Sequence, residues 1–156
     1  WGHGGNYSWI WKSVTRGMNV IFMDPWEPLP SRENDWKVNG VSKNSRYYYT
    51  YETIRRNLGY AKYFMNRIDL NACVPHSELC TSTFCMADPG REYLIYLPAG
   101  GTEGLDLWDA NGEFKSEWLN PETGEIINGN SYCGGDRHEL TAPFQGAAVA
   151  YLYKVN

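Results

Sequence analysis

The chain has 156 residues, which suits one ordinary domain or two small ones. Its formal net charge of −4 provides no basic surface, so a nucleic-acid partner is not expected. No run of about 18 apolar residues occurs, so neither a transmembrane helix nor a membrane partner is expected.

Aromatic residues are unusually frequent, at 15% of the chain. Their flat faces can stack on sugar rings, but the same side chains also fill protein cores and half-wet surfaces. For any single aromatic residue, packing is therefore the more common role than contact with a ligand.

The first third of the chain alternates between helix and strand patterns. After a glycine-containing loop, Ser8 is placed to cap a short helix that ends near Arg16, with Gly17 as the residue beyond it. The apolar run at 20–24 predicts a short strand, which prolines end. The polar residues 28–47 then predict a long surface loop.

A longer amphipathic helix is predicted over residues 50–69. Its apolar positions recur every three or four residues and form one stripe: Ile54, Leu58, Ala61, Met65 and Ile68. The short strand at 20–24 cannot cover that stripe. We therefore expect further chain upstream, or another polypeptide, to complete this part of the core.

From residue 81 onwards the apolar period changes to two. Tight turns such as Asp88-Pro89-Gly90 separate the apolar segments. The pattern predicts six strands of an antiparallel β-sandwich, near 81–87, 92–97, 103–107, 114–119, 137–141 and 147–154.

Four cysteines, Cys73, Cys80, Cys85 and Cys133, allow three disulfide pairings. A Cys85–Cys133 bridge and four free thiols both remain open. There is no Cys-x-x-Cys motif, so neither a zinc site nor any cofactor is expected. The even cysteine count weakly favours an extracellular or periplasmic location. Trp1 is not followed by a basic and then apolar leader, so we expect a mature, processed or partial chain.

Four segments of the chain resemble the C-terminal end of apiosidase-like glycoside hydrolases. They read RRNLGYAKYFMNRIDL, TSTFCMADPGREYLIYLP, GEFKSEWLNPETGEI and LTAPFQGAAVAYLY. In that family an (α/β)₈ barrel is followed by a β-sandwich that is labelled as the collagen-binding domain of a collagenase. The resemblance covers nearly the whole chain and is most specific over residues 82–152.

The resemblance implies an α+β chain of two parts. Residues 1–77 would be the C-terminal segment of a TIM-type barrel, with its eighth strand at 20–24 and its eighth helix at about 50–68. Residues 78–156 would be the β-sandwich.

The resemblance also implies a sugar-binding face. Barrel active sites lie at the carboxyl ends of the strands, so His3, Asp24, Trp26 and Glu27 would contact the substrate. Hydrolysis of a glycosidic bond needs two carboxyl groups. In this family they come from earlier strands than those present here, and we do not expect Asp24 and Glu27 to be that pair.

Three roles remain open for the sandwich. It could bind carbohydrate through Trp108, Trp118 or Tyr132, bind a protein such as collagen, or brace the barrel, which we favour. The segment Asp106–Gly112 contains part of a calcium-loop pattern but lacks its later ligands, so a plain turn is expected.

The sequence thus predicts the C-terminal fragment of a secreted glycoside hydrolase that acts on polysaccharide. Its partners would be carbohydrate and the rest of the barrel. The alternative is a non-catalytic carbohydrate-binding, protein-binding or structural module of an extracellular assembly.

Overall fold

A computed structural model describes residues 6–22 and 51–155 of the chain. This part is mixed α/β and consists mostly of antiparallel sheet with two helices. The elements are α1 (Tyr7–Val14), α2 (Glu52–Met65), β1 (Val74–Pro75), a 3₁₀ turn (Ser77–Leu79), β2 (Cys85–Asp88), β3 (Glu92–Leu97), β4 (Thr102–Asp106), β5 (Glu113–Leu119), β6 (Ile126–Cys133), β7 (Arg137–Thr141) and β8 (Ala148–Lys154).

The strands form two antiparallel sheets. The larger has the order β1-β2-β3-β8-β5-β6, and the smaller pairs β4 with β7. Strand β8 lies at the centre, where Ala150 pairs with Ile95 on one side and with Trp118 on the other. Its near-continuous apolar sequence is explained by this position, because both of its faces are buried.

One face of the large sheet packs against the small sheet. Alternate residues of β3, including Tyr93 and Ile95, join Phe114 and Trp118 of β5 on this face. Leu140 is among the residues that meet them from the small sheet. We call this apolar layer the sandwich core, and it is the arrangement of facing sheets that the alternating sequence predicts.

The opposite face of the large sheet packs against both helices. The intervening residues of β3, Leu94 and Tyr96, belong to this second layer with Trp11 of α1 and Phe64 of α2. The rings of Trp11 and Phe64 meet edge to face, with their centroids 6.1 Å apart. Strands of this chain therefore supply a surface that covers α2, which the local sequence pattern does not indicate.

The buried face of α2 also differs from the predicted stripe. Leu58 and Met65 are only half-buried, whereas Asn57 and Phe64 are fully buried. The buried residues in and just after the helix are Ile54, Asn57, Ala61, Phe64 and Ile68. The predicted stripe omitted Asn57 because an amide is rarely buried unless its hydrogen bonds are made.

Asn57 is buried because its side chain joins three parts of the fold. Its Oδ1 accepts a hydrogen bond from Trp11 Nε1 of α1 at 2.8 Å. Its Nδ2 donates to the carbonyl oxygen of Pro121, in the turn after β5, at 2.7 Å and to that of Thr53, within α2, at 2.9 Å. Asn57 thus links both helices to the large sheet.

Charged side chains reinforce the same contact where the chain leaves α2. The guanidinium of Arg67 pairs with Glu117 of β5 at 2.5 Å and lies 4.8 Å from the ring centroid of Tyr151 in β8. Glu92 of β3 accepts hydrogen bonds from the backbone N–H of Asp69 at 2.8 Å and from the hydroxyl of Tyr151 at 2.7 Å. These contacts join the segment after α2 to strands β3, β5 and β8.

Six strands lie close to their predicted positions, but the two-residue strand β1 and the longer strand β6 were missed. Most of its residues are exposed, so it lacks the apolar alternation that identifies a half-buried strand. It is an edge strand paired with β5, and Gly129 leaves room beside Trp118: a Cβ there would come within 2.6 Å of Trp118 Cδ1. Cys133 is the last residue of this strand.

Four further expectations from the sequence need correction or restriction. Asn6 rather than Ser8 caps α1, since its Oδ1 accepts the N–H of Ser8 at 3.0 Å. All four cysteines are free, so the Cys85–Cys133 bridge is not formed. The predicted strand at 20–24 is described only as far as Phe22, a single bridge residue, and the predicted loop at 28–47 lies outside the described residues.

Neither helix in the described residues is long and apolar enough to cross a membrane.

Candidate functional site

The four predicted sugar-binding residues, His3, Asp24, Trp26 and Glu27, all lie outside the described residues. Their arrangement therefore stays a prediction. The site that can be built from described residues lies on the sandwich.

Of the three aromatic residues proposed to bind sugar on the sandwich, one is exposed. Trp118 and Tyr132 are 2% and 8% exposed and belong to the sandwich core, whereas Trp108 is 66% exposed. Their burial therefore rules out the sugar contact that the sequence left open for Trp118 and Tyr132. Both side chains face inwards because Trp118 lies on the same buried face of β5 as Phe114, and Tyr132 of β6 is paired with Phe114.

The turn that carries Trp108 is held firmly at its base. The Asp106 carboxylate accepts the backbone N–H of Trp108 at 2.9 Å. On either side of Trp108 and Asp109, Leu107 and Ala110 are buried in the sandwich core. Backbone hydrogen bonds join Leu107 to Ala110, Gly135 and Asp136. The segment is thus the turn that the sequence predicts, and it presents the indole on an anchored backbone.

Trp108 borders an open cavity of about 340 Å³. Its apolar lining includes Pro89 and Tyr93, and its polar lining consists of His76, Glu78, Asp106 and Asp109. A smaller cavity of about 110 Å³ shares Glu78, Leu79 and Asp106 with it and continues to Thr81 and Arg137. We call the two cavities together the Trp108 groove.

Two pre-formed polar pairs lie in the groove. His76 Nδ1 lies 2.7 Å from Glu78 Oε1, and Arg137 Nε lies 2.9 Å from Asp106 Oδ2. The hydrogen bond with His76 lowers the pKa of Glu78. The N–H of Trp108, followed by Arg137, lowers the pKa of Asp106. Both carboxyl groups are therefore ionised at neutral pH and act as hydrogen-bond acceptors.

This protonation state decides what the groove can do chemically. Glycoside hydrolysis requires one carboxyl group that is protonated and able to donate to the leaving oxygen. Lowered pKa values at Glu78 and Asp106 work against that role. Among the described residues, no group of three or more His, Cys, Asp or Glu side chains could hold a metal ion. Glu78 and Asp106 therefore supply hydrogen-bond acceptors in the groove.

The groove opens on the side of the large sheet that faces away from the helices. Tyr93, Leu107 and Ala110, which line it, belong to the sandwich core. The helices pack in the other apolar layer. A partner held on the helix side would therefore leave the groove accessible.

The sequence pointed to Trp108 as a possible sugar contact, but it placed Asp106 only in a turn. It gave no site role to His76, Glu78 or Arg137. His76 and Glu78 lie in an irregular segment between β1 and β2, more than 25 positions before Asp106. The His-x-Glu spacing was the signal available, and it is too common to identify a site. Arg137 joins the site because β7 pairs with β4 and places it opposite Asp106.

Comparison with known proteins gives a likeness of fold. No protein-family model and no curated protein sequence matches the chain. A solved structure described as a glycoside hydrolase is similar over 76% of this chain and 29% of its own, with a TM-score of 0.57 and 14% identity. A family 5 glycoside hydrolase from Bacteroides vulgatus is similar over 64% of this chain and 24% of its own, with a TM-score of 0.53 and 14% identity.

The chain thus spans less than a third of the length of either enzyme. At this identity the likeness shows the fold alone. It establishes that sheets and helices arranged as in this chain occur within glycoside hydrolases.

Proposed function

We propose that this chain is the C-terminal part of a secreted glycoside hydrolase of the apiosidase-like kind, acting on polysaccharide. The observation that carries the proposal is the structural similarity to part of two glycoside hydrolases, each of which is more than three times the length that the chain covers. The remainder of the enzyme would come from upstream chain or from another polypeptide.

The packing of the helices supports a bracing role for the sandwich. In the proposal, α2 is the last helix of a barrel formed in part by residues 1–77, and residues 78–156 are the sandwich. Since α1 and α2 bury their apolar faces on the large sheet, the end of the barrel would be joined to the sandwich through a continuous apolar layer. Asn57 and Arg67 add directional bonds across the same contact.

The proposal assigns substrate contact to the barrel side of the chain. His3, Asp24, Trp26 and Glu27 would bind sugar hydroxyls and ring faces there, and the catalytic carboxylates would come from the missing strands.

The test is to purify the protein that carries this chain from its native source, measure its intact mass and assay hydrolysis of plant and microbial polysaccharides. We expect a mass well above 17.9 kDa together with hydrolysis. Asp24→Asn and Glu27→Gln should each lower kcat/KM by about tenfold or more, since hydrogen bonds to charged groups contribute about 1.5–3 kcal/mol.

A matched control is Glu113→Gln, which changes an exposed carboxylate at the start of β5 and should leave kcat/KM unchanged. A native mass of 17.9 kDa without hydrolysis would overturn the proposal. Loss of activity in the control equal to that in Asp24→Asn would refute the assignment of the sugar-binding face.

A further inference from the structure

We propose that the Trp108 groove is a second carbohydrate site, which binds a neutral polysaccharide chain without cleaving it. This inference goes beyond the proposed function, because the groove lies on the opposite side of the large sheet from the helices. The test of this inference measures the binding of polysaccharide and does not depend on hydrolase activity.

The first reason is the exposure and support of Trp108. An indole that is 66% exposed leaves a large apolar surface in water, and such side chains are enriched where one face meets a partner. The turn beneath it is anchored by the Asp106 carboxylate and by the buried Leu107 and Ala110. Little conformational freedom of the backbone would be lost on binding, which favours a ligand that packs on a flat face.

The second reason is the set of polar groups beside the indole. A sugar ring has an apolar face of C–H groups and an edge of hydroxyls, each of which both donates and accepts hydrogen bonds. The ionised Glu78 and Asp106 supply acceptors, and Arg137 supplies donors, in one continuous depression. Trp108 and the polar groups therefore match the two surfaces of a sugar unit.

The charge of the groove selects among carbohydrates. Three carboxylates, of Glu78, Asp106 and Asp109, line the larger cavity. The guanidinium of Arg137 is already paired with Asp106 at 2.9 Å. An acidic sugar would meet repulsion from these carboxylates, so a neutral polysaccharide is the better fit.

The length of the groove favours a chain over a single sugar. Cavities of about 340 and 110 Å³ adjoin through Glu78, Leu79 and Asp106. The first is within the range of small-ligand sites, and the second extends it past the Asp106–Arg137 pair. One sugar unit stacked on Trp108 would thus have its neighbour directed along the groove.

A protein partner is less consistent with these features. The centres of protein interfaces are depleted in charged residues, whereas the two cavities of the groove share the carboxylates of Glu78 and Asp106, which contact His76 and Arg137. Collagen is therefore a control ligand in the test and not the expected one.

The experiment is affinity electrophoresis of the full protein through native gels that contain xyloglucan, arabinoxylan or mixed-linkage β-glucan, with polygalacturonate and gelatin gels in parallel. The variants are Trp108→Ala, Trp108→Phe and Asp109→Asn. The matched control is Ile126→Ala, an exposed apolar residue at the start of β6 on the edge of the large sheet. Thermal melting confirms that each variant is folded.

We expect retardation by at least one neutral polysaccharide and none by polygalacturonate or gelatin. Trp108→Ala should weaken binding about tenfold or more, whereas Trp108→Phe should retain part of it because a ring remains. Ile126→Ala should bind like the unaltered protein.

Several results would overturn the inference. They are retardation by none of the three neutral polysaccharides, equal retardation of the unaltered protein and Trp108→Ala, and Trp108-dependent binding to gelatin or polygalacturonate alone. The first proposal can fail separately, since a protein without hydrolase activity could still bind through Trp108, and an active hydrolase could fail to.

Discussion

Replacing Asn57 with alanine tests whether the helices and the sandwich form one cooperative structure. The substitution removes the acceptor of the Trp11 indole N–H and a donor to the Pro121 carbonyl, at 2.8 and 2.7 Å. The hydrogen bond to Thr53 lies within α2 and does not join α2 to another element. Two buried groups in different elements therefore lose their partners.

The magnitude follows from those two groups. Each buried polar group that is left without a partner costs about 1–3 kcal/mol, so the pair costs about 2–6 kcal/mol. Water can enter the space that the amide leaves and satisfy one of them. We therefore expect the free energy of unfolding to fall by about 1–3 kcal/mol, a factor of roughly 5 to 160 in the unfolding equilibrium.

The assay is urea denaturation of the full protein, followed by far-ultraviolet circular dichroism and tryptophan fluorescence. Asn128→Ala, on the exposed edge strand β6, serves as the control and should change stability by less than about 0.5 kcal/mol. Helix and sheet signals should shift together to lower urea in Asn57→Ala. An effect no larger than that of the control, or a shift confined to the helical signal, would refute a shared core.

Three further predictions rest on individual contacts. Trp118→Ala should lower the free energy of unfolding by about 3–5 kcal/mol, because it empties a site in the sandwich core; a melting temperature equal to that of the unaltered protein would contradict this. Burial raises the pKa of Cys73 to about 12 and also raises that of Cys85. Alkylation of the native protein at pH 8, followed by mass spectrometry, should therefore label the exposed Cys133 first. Equal labelling of Cys73, Cys85 and Cys133 would contradict this prediction. The pKa of Asp106 is lowered in the fold, so the ionised Asp106 stabilises the folded state above the ordinary Asp pKa of about 3.9, and this stabilisation is lost as the pH falls below that value. Asp106→Asn should therefore make the stability less dependent on pH in that acidic range. An unchanged slope of melting temperature against pH would show that Asp106 makes no such contribution.

The strands were predictable where burial alternates along the chain. In β5 the buried positions Phe114, Ser116 and Trp118 alternate with exposed or half-buried ones, and the same pattern identifies Trp118 as a core residue. Strand β6 has no such pattern because it is an edge strand whose residues mostly face solvent. Its pairing with β5 is a tertiary property that local sequence does not specify.

The cover of α2 was not predictable, because it depends on both faces of the large sheet being buried. An antiparallel sheet commonly has one wet face, and six short strands are compatible with that arrangement. The apolar residues on the helix side, such as Leu94, Tyr96 and Val149, appear in sequence as parts of continuous apolar runs. Such runs indicate burial on both faces but do not say which element supplies the second cover.

The candidate site was predictable only in part for a related reason. Trp108 stands in a polar turn, so its exposure follows from its neighbours in the chain. Its polar partners come from the segment between β1 and β2 and from the start of β7. Their proximity arises from the pairing of β4 with β7 and from the position of the 3₁₀ turn, which are long-range features of the fold.

The helices and the Trp108 groove lie on opposite sides of the large sheet. Residues that join the helices to the sheet, such as Asn57 and Arg67, have their contacts in the helix layer, whereas Trp108 and its polar neighbours lie above the sandwich core. Strand β3 contributes to both layers, with Tyr93 beneath the groove and Leu94 beneath the helices. A rigid central sheet would thus hold a binding groove at a fixed position relative to whatever the helices join.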